Sequence, residues 1–124
     1  MIVISFTTNW NSKLNGKAFT TIRLSNSYKY VVGSEYSIEL AGKILGSAIL
    51  KEKRTLAINQ LNEFICRLDT GYSKAETIGI LKRMYPNLDL SNTLFDLCRL
   101  VYNSKKEKQQ RNKDAFELRL PYKD

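Results

Sequence analysis

Apolar and polar positions alternate in short bursts along the first half of the chain, and their period changes near residue 59. Ile2-Val3-Ile4-Ser5-Phe6 is a β-branched and aromatic run that predicts a buried strand. Phe19 to Leu24 predicts a second strand, preceded by the turn signal Asn15-Gly16. Tyr28 to Val32 reads as a short extended piece ended by Gly33. Tyr36, Ile38 and Leu40 share one face against Glu35, Ser37 and Glu39, the period of a half-buried strand. Ala41-Gly42-Lys43 supplies a hairpin turn, and Ile44 to Lys53 resumes as a strand that residues 54–58 can prolong. Gly46 marks a bulge or bend within it.

Beyond residue 59 the spacing is helical. Asn59 predicts a cap, and Leu61, Phe64, Ile65 and Leu68 recur as one helix face. Asp69-Thr70-Gly71 ends that helix. Ser73 with Glu76 forms a capping box for a second helix, whose stripe is Ile78, Leu81, Met84 and Tyr85, with Pro86 past its end. Residues 94–102 fit either a helix face (Leu94, Leu97, Cys98, Val101) or one side of a strand (Leu94, Cys98, Leu100, Tyr102). Lys105 to Lys113 lacks an apolar anchor, so 103–114 reads as a basic loop or mobile segment. Phe116, Leu118 and Leu120 alternate as a last strand. The expectation is a single α+β domain over 1–124: a small antiparallel β-barrel with two inserted helices packing beside it. Closure falls to residues 94–102, 115–120, or both.

Composition narrows the chemistry. The 124 residues include no histidine, which removes Ser-His-Asp and Cys-His sites, His-ligated zinc and a histidine base. Acid–base work must then use carboxylates, Lys, Tyr, Cys or water. Two cysteines, Cys66 and Cys98, are too few for a disulfide framework or a four-thiolate zinc site. Both read as buried, inert thiols in a reduced, cytoplasmic protein, and neither a metal nor another cofactor is expected. The first residues lack the basic region of a secretory leader, and no apolar run approaches a membrane span, so no membrane partner is expected. The net charge of +8 is uneven: residues 1–54 carry eight Lys/Arg against three Asp/Glu, residues 55–102 five against five, and residues 103–124 seven against four. A basic domain of this kind attracts polyanions, nucleic acid first among them.

Four motifs in order resemble the ASCH domain family of the PUA-like β-barrel superfamily. They are Asn15-Gly16-Lys17-Ala18-Phe19-Thr20-Thr21-Ile22-Arg23, Val32-Gly33-Ser34-Glu35-Tyr36, Asp69-Thr70-Gly71-Tyr72 and Met84-Tyr85-Pro86, covering roughly residues 1–90. The resemblance implies a barrel with a cleft between its open face and the inserted helices. It also implies RNA binding, modified bases included. Some small members are amidohydrolases on acetylated cytidine, and others are reported as ribonucleases. The amidohydrolase set is a Lys, a Thr three residues later and a Glu just before the second helix. Thr21 falls on the Thr; Lys17 and Asp69 each stand one residue early of their positions, which fall on Ala18 and near Thr70.

The expected function is therefore nucleic-acid binding, RNA rather than DNA, in a basic cleft near the second strand. Lys17 and Arg23 are the candidate phosphate or base contacts. Thr21 is expected beside them, and Trp10, in a polar loop, to stack a base. Tyr28, Tyr30 and Tyr72 are further stacking candidates. Lys51, Lys53 and Arg54 are expected to track a backbone, with Lys51 and Lys53 on one strand face. The alternative is a small hydrolase, acting on an acylated nucleoside or on RNA, with Lys17, Thr21 and Asp69 as the catalytic set.

Overall fold

The computed structural model describes residues 1–103. Strands β1 (Ile2–Phe6), β2 (Ala18–Leu24), β3 (Glu35–Leu40), β4 (Lys43–Ala57) and β5 (Leu94–Tyr102) form one sheet in the order β1-β3-β4-β5-β2. β1 runs parallel to β3, and the other three pairings are antiparallel. Helices α1 (Glu63–Asp69) and α2 (Lys74–Met84) lie between β4 and β5 in the chain. A 3-10 segment, Trp10–Asn15, joins β1 to β2.

The turn chemistry acts as its residue types dictate. Ala41 and Gly42 both take positive φ, 50° and 86°, the geometry of the tight turn that matches the right-handed strand twist. At Gly46 the β3–β4 register shifts: Ile38 pairs Gly46 while Glu39 pairs Ile44. Asn62 caps α1, its side chain accepting from the Ile65 N–H at 2.8 Å, and Ser73 with Glu76 forms the capping box of α2.

The sheet has two buried faces. Phe6, Phe19, Tyr36, Ile38, Leu50, Leu100 and Tyr102 fill its inner side. Ile22, Leu56, Leu61, Cys66, Leu81 and Phe95 pack its outer side with the helices. Residues 94–102 resolve as an interior strand between β4 and β2, because Phe95 faces the helices while Cys98, Leu100 and Tyr102 face the inner core. That split needs a period of two.

Other expectations fail for identifiable reasons. β1 is an edge strand, so only Ile4 and Phe6 are buried and Ile2 and Val3 are exposed. Tyr28 to Val32 forms no strand; Asn26 Oδ1 takes the Tyr28 and Lys29 N–H groups and folds the segment into a turn. α1 starts after Asn62, not Asn59, and it leaves Phe64 and Leu68 exposed while burying Cys66 and Asp69. On α2, Met84 is exposed and Thr77, Ile80 and Leu81 are the buried residues. The sheet is a curled half-barrel, not a closed barrel: β1 and β2 share no backbone ladder. Side chains bridge these edges instead, with Arg23 Nη2 donating to the Ser5 carbonyl at 2.8 Å and Phe6 meeting Phe19 edge-on. β5 does return beside β2, as closure required. The basic segment 103–114, apart from Asn103, and the strand expected at 115–120 lie outside the described residues.

Candidate functional site

The gap between the two sheet edges opens into a cavity of about 190 Å³, roofed by the 3-10 segment, α1 and α2. β2 supplies its wall. Because successive strand residues point to opposite faces, Phe19, Thr21 and Arg23 turn inward while Ile22 packs toward the helices. Thr21 is 3% exposed, and its hydroxyl oxygen accepts from Arg23 Nε at 2.9 Å. The guanidinium lies over the Phe6 ring, 4.5 Å from its centroid, a cation–π contact that fixes the fork. With Nε and Nη2 engaged, Nη1 has no hydrogen bond among the described residues.

The 3-10 segment delivers Lys13 to the same cavity. Lys13 Nζ meets Asp69 Oδ1 at 2.8 Å, and Thr20 donates to that oxygen at 2.8 Å. Side-chain exposure is 7% for Lys13 and 6% for Asp69, so the pair is buried. Burial pulls the Lys13 ammonium below its ordinary pKa, Asp69 opposes that shift, and Arg23 adds to it. Asp69 Oδ2 has no hydrogen-bond partner among the described residues, yet no buried side-chain oxygen there is unsatisfied, so Oδ2 is open to the cavity that Asp69 lines. Thr70 and Thr77 share a hydrogen bond of 2.8 Å behind it. Trp10 stands at the cavity, edge-on to Tyr72 with centroids 6.0 Å apart.

The sequence-predicted residues divide accordingly. Thr21, Arg23, Trp10 and Asp69 come together at the cavity. Lys17 does not join them: it is exposed, and its side chain makes no hydrogen bond or ion pair among the described residues. The carboxylate of the expected Lys17, Thr21, Asp69 set is instead engaged by Lys13 and Thr20. Lys51, Lys53 and Arg54 lie on β4, away from the cavity lining. A bulge between Leu50 and Glu52 breaks their alternation, so Lys53 points inward like Leu50, its ammonium on the Tyr30 carbonyl at 2.8 Å, and does not share a face with Lys51. Tyr28 is exposed on its turn and Tyr30 is core.

Lys13 is the residue that sequence reasoning missed. It sits in a polar, turn-rich stretch with no period, and its partner Asp69 is 56 residues away. Among the described residues no three of Cys, Asp and Glu converge as a metal site, and no helix is long and apolar enough to cross a membrane. Compared with family models, curated proteins and solved structures, the chain matches none.

Proposed function

We propose that this chain binds single-stranded nucleic acid, RNA in preference to DNA, by seating one nucleotide in the cavity beside β2. The observation that carries the reading is the cavity wall, which combines an Arg23 N–H and an Asp69 oxygen that have no partner among the described residues with the Trp10 indole. A nucleobase offers the complement: carbonyl acceptors, N–H donors and a π-face. The net charge of +8 adds long-range attraction for the phosphate chain. A PUA-like barrel of the ASCH kind, and a cytoplasmic setting in which Cys66 and Cys98 stay free, belong to the same reading.

Fluorescence anisotropy with a labelled random-sequence single-stranded RNA tests it. Affinity should fall steeply between about 50 mM and about 200 mM salt. Arg23→Ala should weaken it at least about ten-fold, the scale of one lost bidentate-type contact. Absence of binding at the lower salt, or binding indifferent to Arg23, overturns the reading.

The Lys13–Asp69–Thr20 cluster favours a second reading, a hydrolase acting on an acylated nucleoside. A hydroxyl donating to a carboxylate is the geometry of an activated nucleophile. It ranks second because Thr20 is not part of the cavity lining. Release of acetate from acetylated cytidine, abolished by Thr20→Val, would put it first.

A further inference from the structure

Trp10 and Ile80 line a second, more open groove of about 410 Å³ beside the cavity, whose other walls are Tyr72, Glu76, Gly79 and Arg83. We propose that this groove is a second nucleotide subsite, holding the ribonucleotide adjacent to the one in the cavity. The inference rests on the nucleic-acid reading above and extends it to the substrate's length and sugar.

Glu76, Gly79 and Arg83 follow one another along one face of α2. Seven residues at 1.5 Å rise separate Glu76 from Arg83 by about 10 Å, the order of one extended nucleotide with its phosphate. The chemistry along that line suits such a group. Tyr72, 43% exposed, and the half-buried Trp10 offer aromatic surface for a base. Gly79 adds no side chain of its own, and the Arg83 guanidinium lies back along it, its Nη1 3.7 Å from where a Cβ would stand. The exposed Arg83 guanidinium makes no hydrogen bond or ion pair among the described residues, so it is available to a phosphate. Glu76 spends Oε1 on the Ser73 N–H at 3.0 Å, which leaves Oε2 to accept from a ribose 2′-hydroxyl. That hydroxyl is what distinguishes RNA from DNA. A carboxylate facing a phosphate chain is repulsive; Glu76 is held there by the capping box, and a sugar hydroxyl is the nucleotide group that its free oxygen suits. Because Trp10 borders both spaces, a strand can pass from cavity to groove across the indole.

The test compares ribonucleoside 5′-monophosphates, which report on the cavity, with a short random-sequence RNA and its DNA counterpart. Tyr72→Ala and Arg83→Glu should each weaken RNA oligonucleotide binding about ten-fold more than they weaken monophosphate binding. Glu76→Gln retains the capping box and should shrink the preference for RNA over DNA about three-fold, the scale of exchanging a charge-assisted hydrogen bond for a neutral one. Equal effects of Arg83→Glu on oligonucleotide and monophosphate overturn the groove while leaving the cavity reading in place. Failure of the unaltered protein to bind either probe overturns both. An unchanged RNA preference in Glu76→Gln overturns the assignment of that carboxylate to the ribose.

Discussion

Two aspartates are buried against β2, and they are satisfied in different ways. Asp96, 0% exposed, has both oxygens occupied: Oδ1 accepts from Ser25 at 3.0 Å and Thr55 at 2.7 Å, and Oδ2 from the Asn26 N–H at 3.0 Å. All of its donors are neutral, and they come from β4 and from the turn leaving β2, so the carboxylate staples the three adjacent strands together. Asp69 has one oxygen crowded by an ammonium and a hydroxyl, and the other open to a cavity. A buried acid with both oxygens engaged is a structural device. One with a lone pair left toward a void is poised for a ligand, and the two can be told apart only by counting partners.

The largest effect should come from Asp96→Ala. It removes three hydrogen bonds from exposed Ser25, Asn26 and Thr55 to a charged acceptor that is itself fully buried, at a cost of about 3–5 kcal/mol in urea denaturation. A loss below about 1 kcal/mol would erase the distinction from the structural side. Lys13→Met comes next. It keeps the side chain's aliphatic length but takes the ammonium away from the Phe6 ring and leaves Asp69 buried without its counter-charge, costing about 2–3 kcal/mol. Adding Asp69→Leu should recover most of that stability without recovering RNA binding, and recovery of both would deny Asp69 a role in the site.

A third effect is on the scale of the second but confined to alkaline pH. Burial first, and the nearby Asp96 charge second, push the Cys98 thiol up from 9.0 to about 11. Its folded pKa is raised, so the stabilisation is complete below pH 9 and is lost as pH rises toward 11. By linkage that is worth about 2–3 kcal/mol. Lys13, with its pKa lowered, works in the opposite direction at alkaline pH, so the comparison must be made against Cys98→Ala. A difference between the two proteins that stays flat from pH 8 to pH 11 would contradict the burial of that thiol. The smallest effect is that of Lys17→Ala: under about 0.5 kcal/mol on folding. It should cost RNA binding no more than one solvated phosphate contact, read as a drop of about one in the salt slope.

Much of the local structure was legible. The alternation over 35–40, the Ala41-Gly42 turn, the break at Gly46 and the Ser73–Glu76 box all depend on contacts within a few residues, and all four fold as their residue types dictate. The helix faces were not. Phe64 and Leu68 have core character and helical spacing, yet α1 turns Cys66 and Asp69 inward: Cys66 joins the apolar cluster beside the sheet, and Asp69 meets Thr20 on β2 and Lys13 on the 3-10 segment. The candidate site was half legible. Thr21, Arg23, Asp69 and Trp10 reach the cavity. Lys17 lost its place to Lys13, since the 3-10 segment turns the earlier lysine inward and leaves the later one in solvent.

The sequence by itself determined β1 to β4 and the two helices, the absence of histidine chemistry and the location of the positive charge along the chain, because periodicity, composition and turn residues are local properties, while residues 94–102 stayed open between helix and strand. Only the tertiary structure decided which lysine meets Asp69, that Lys51 and Lys53 part company at a bulge, and that the sheet stops at a half-barrel bridged by Arg23. Each of these is a contact between residues far apart in the chain or a register slip of one residue. No local pattern records either, because it is the packing of two distant elements that selects one arrangement among many of similar local cost.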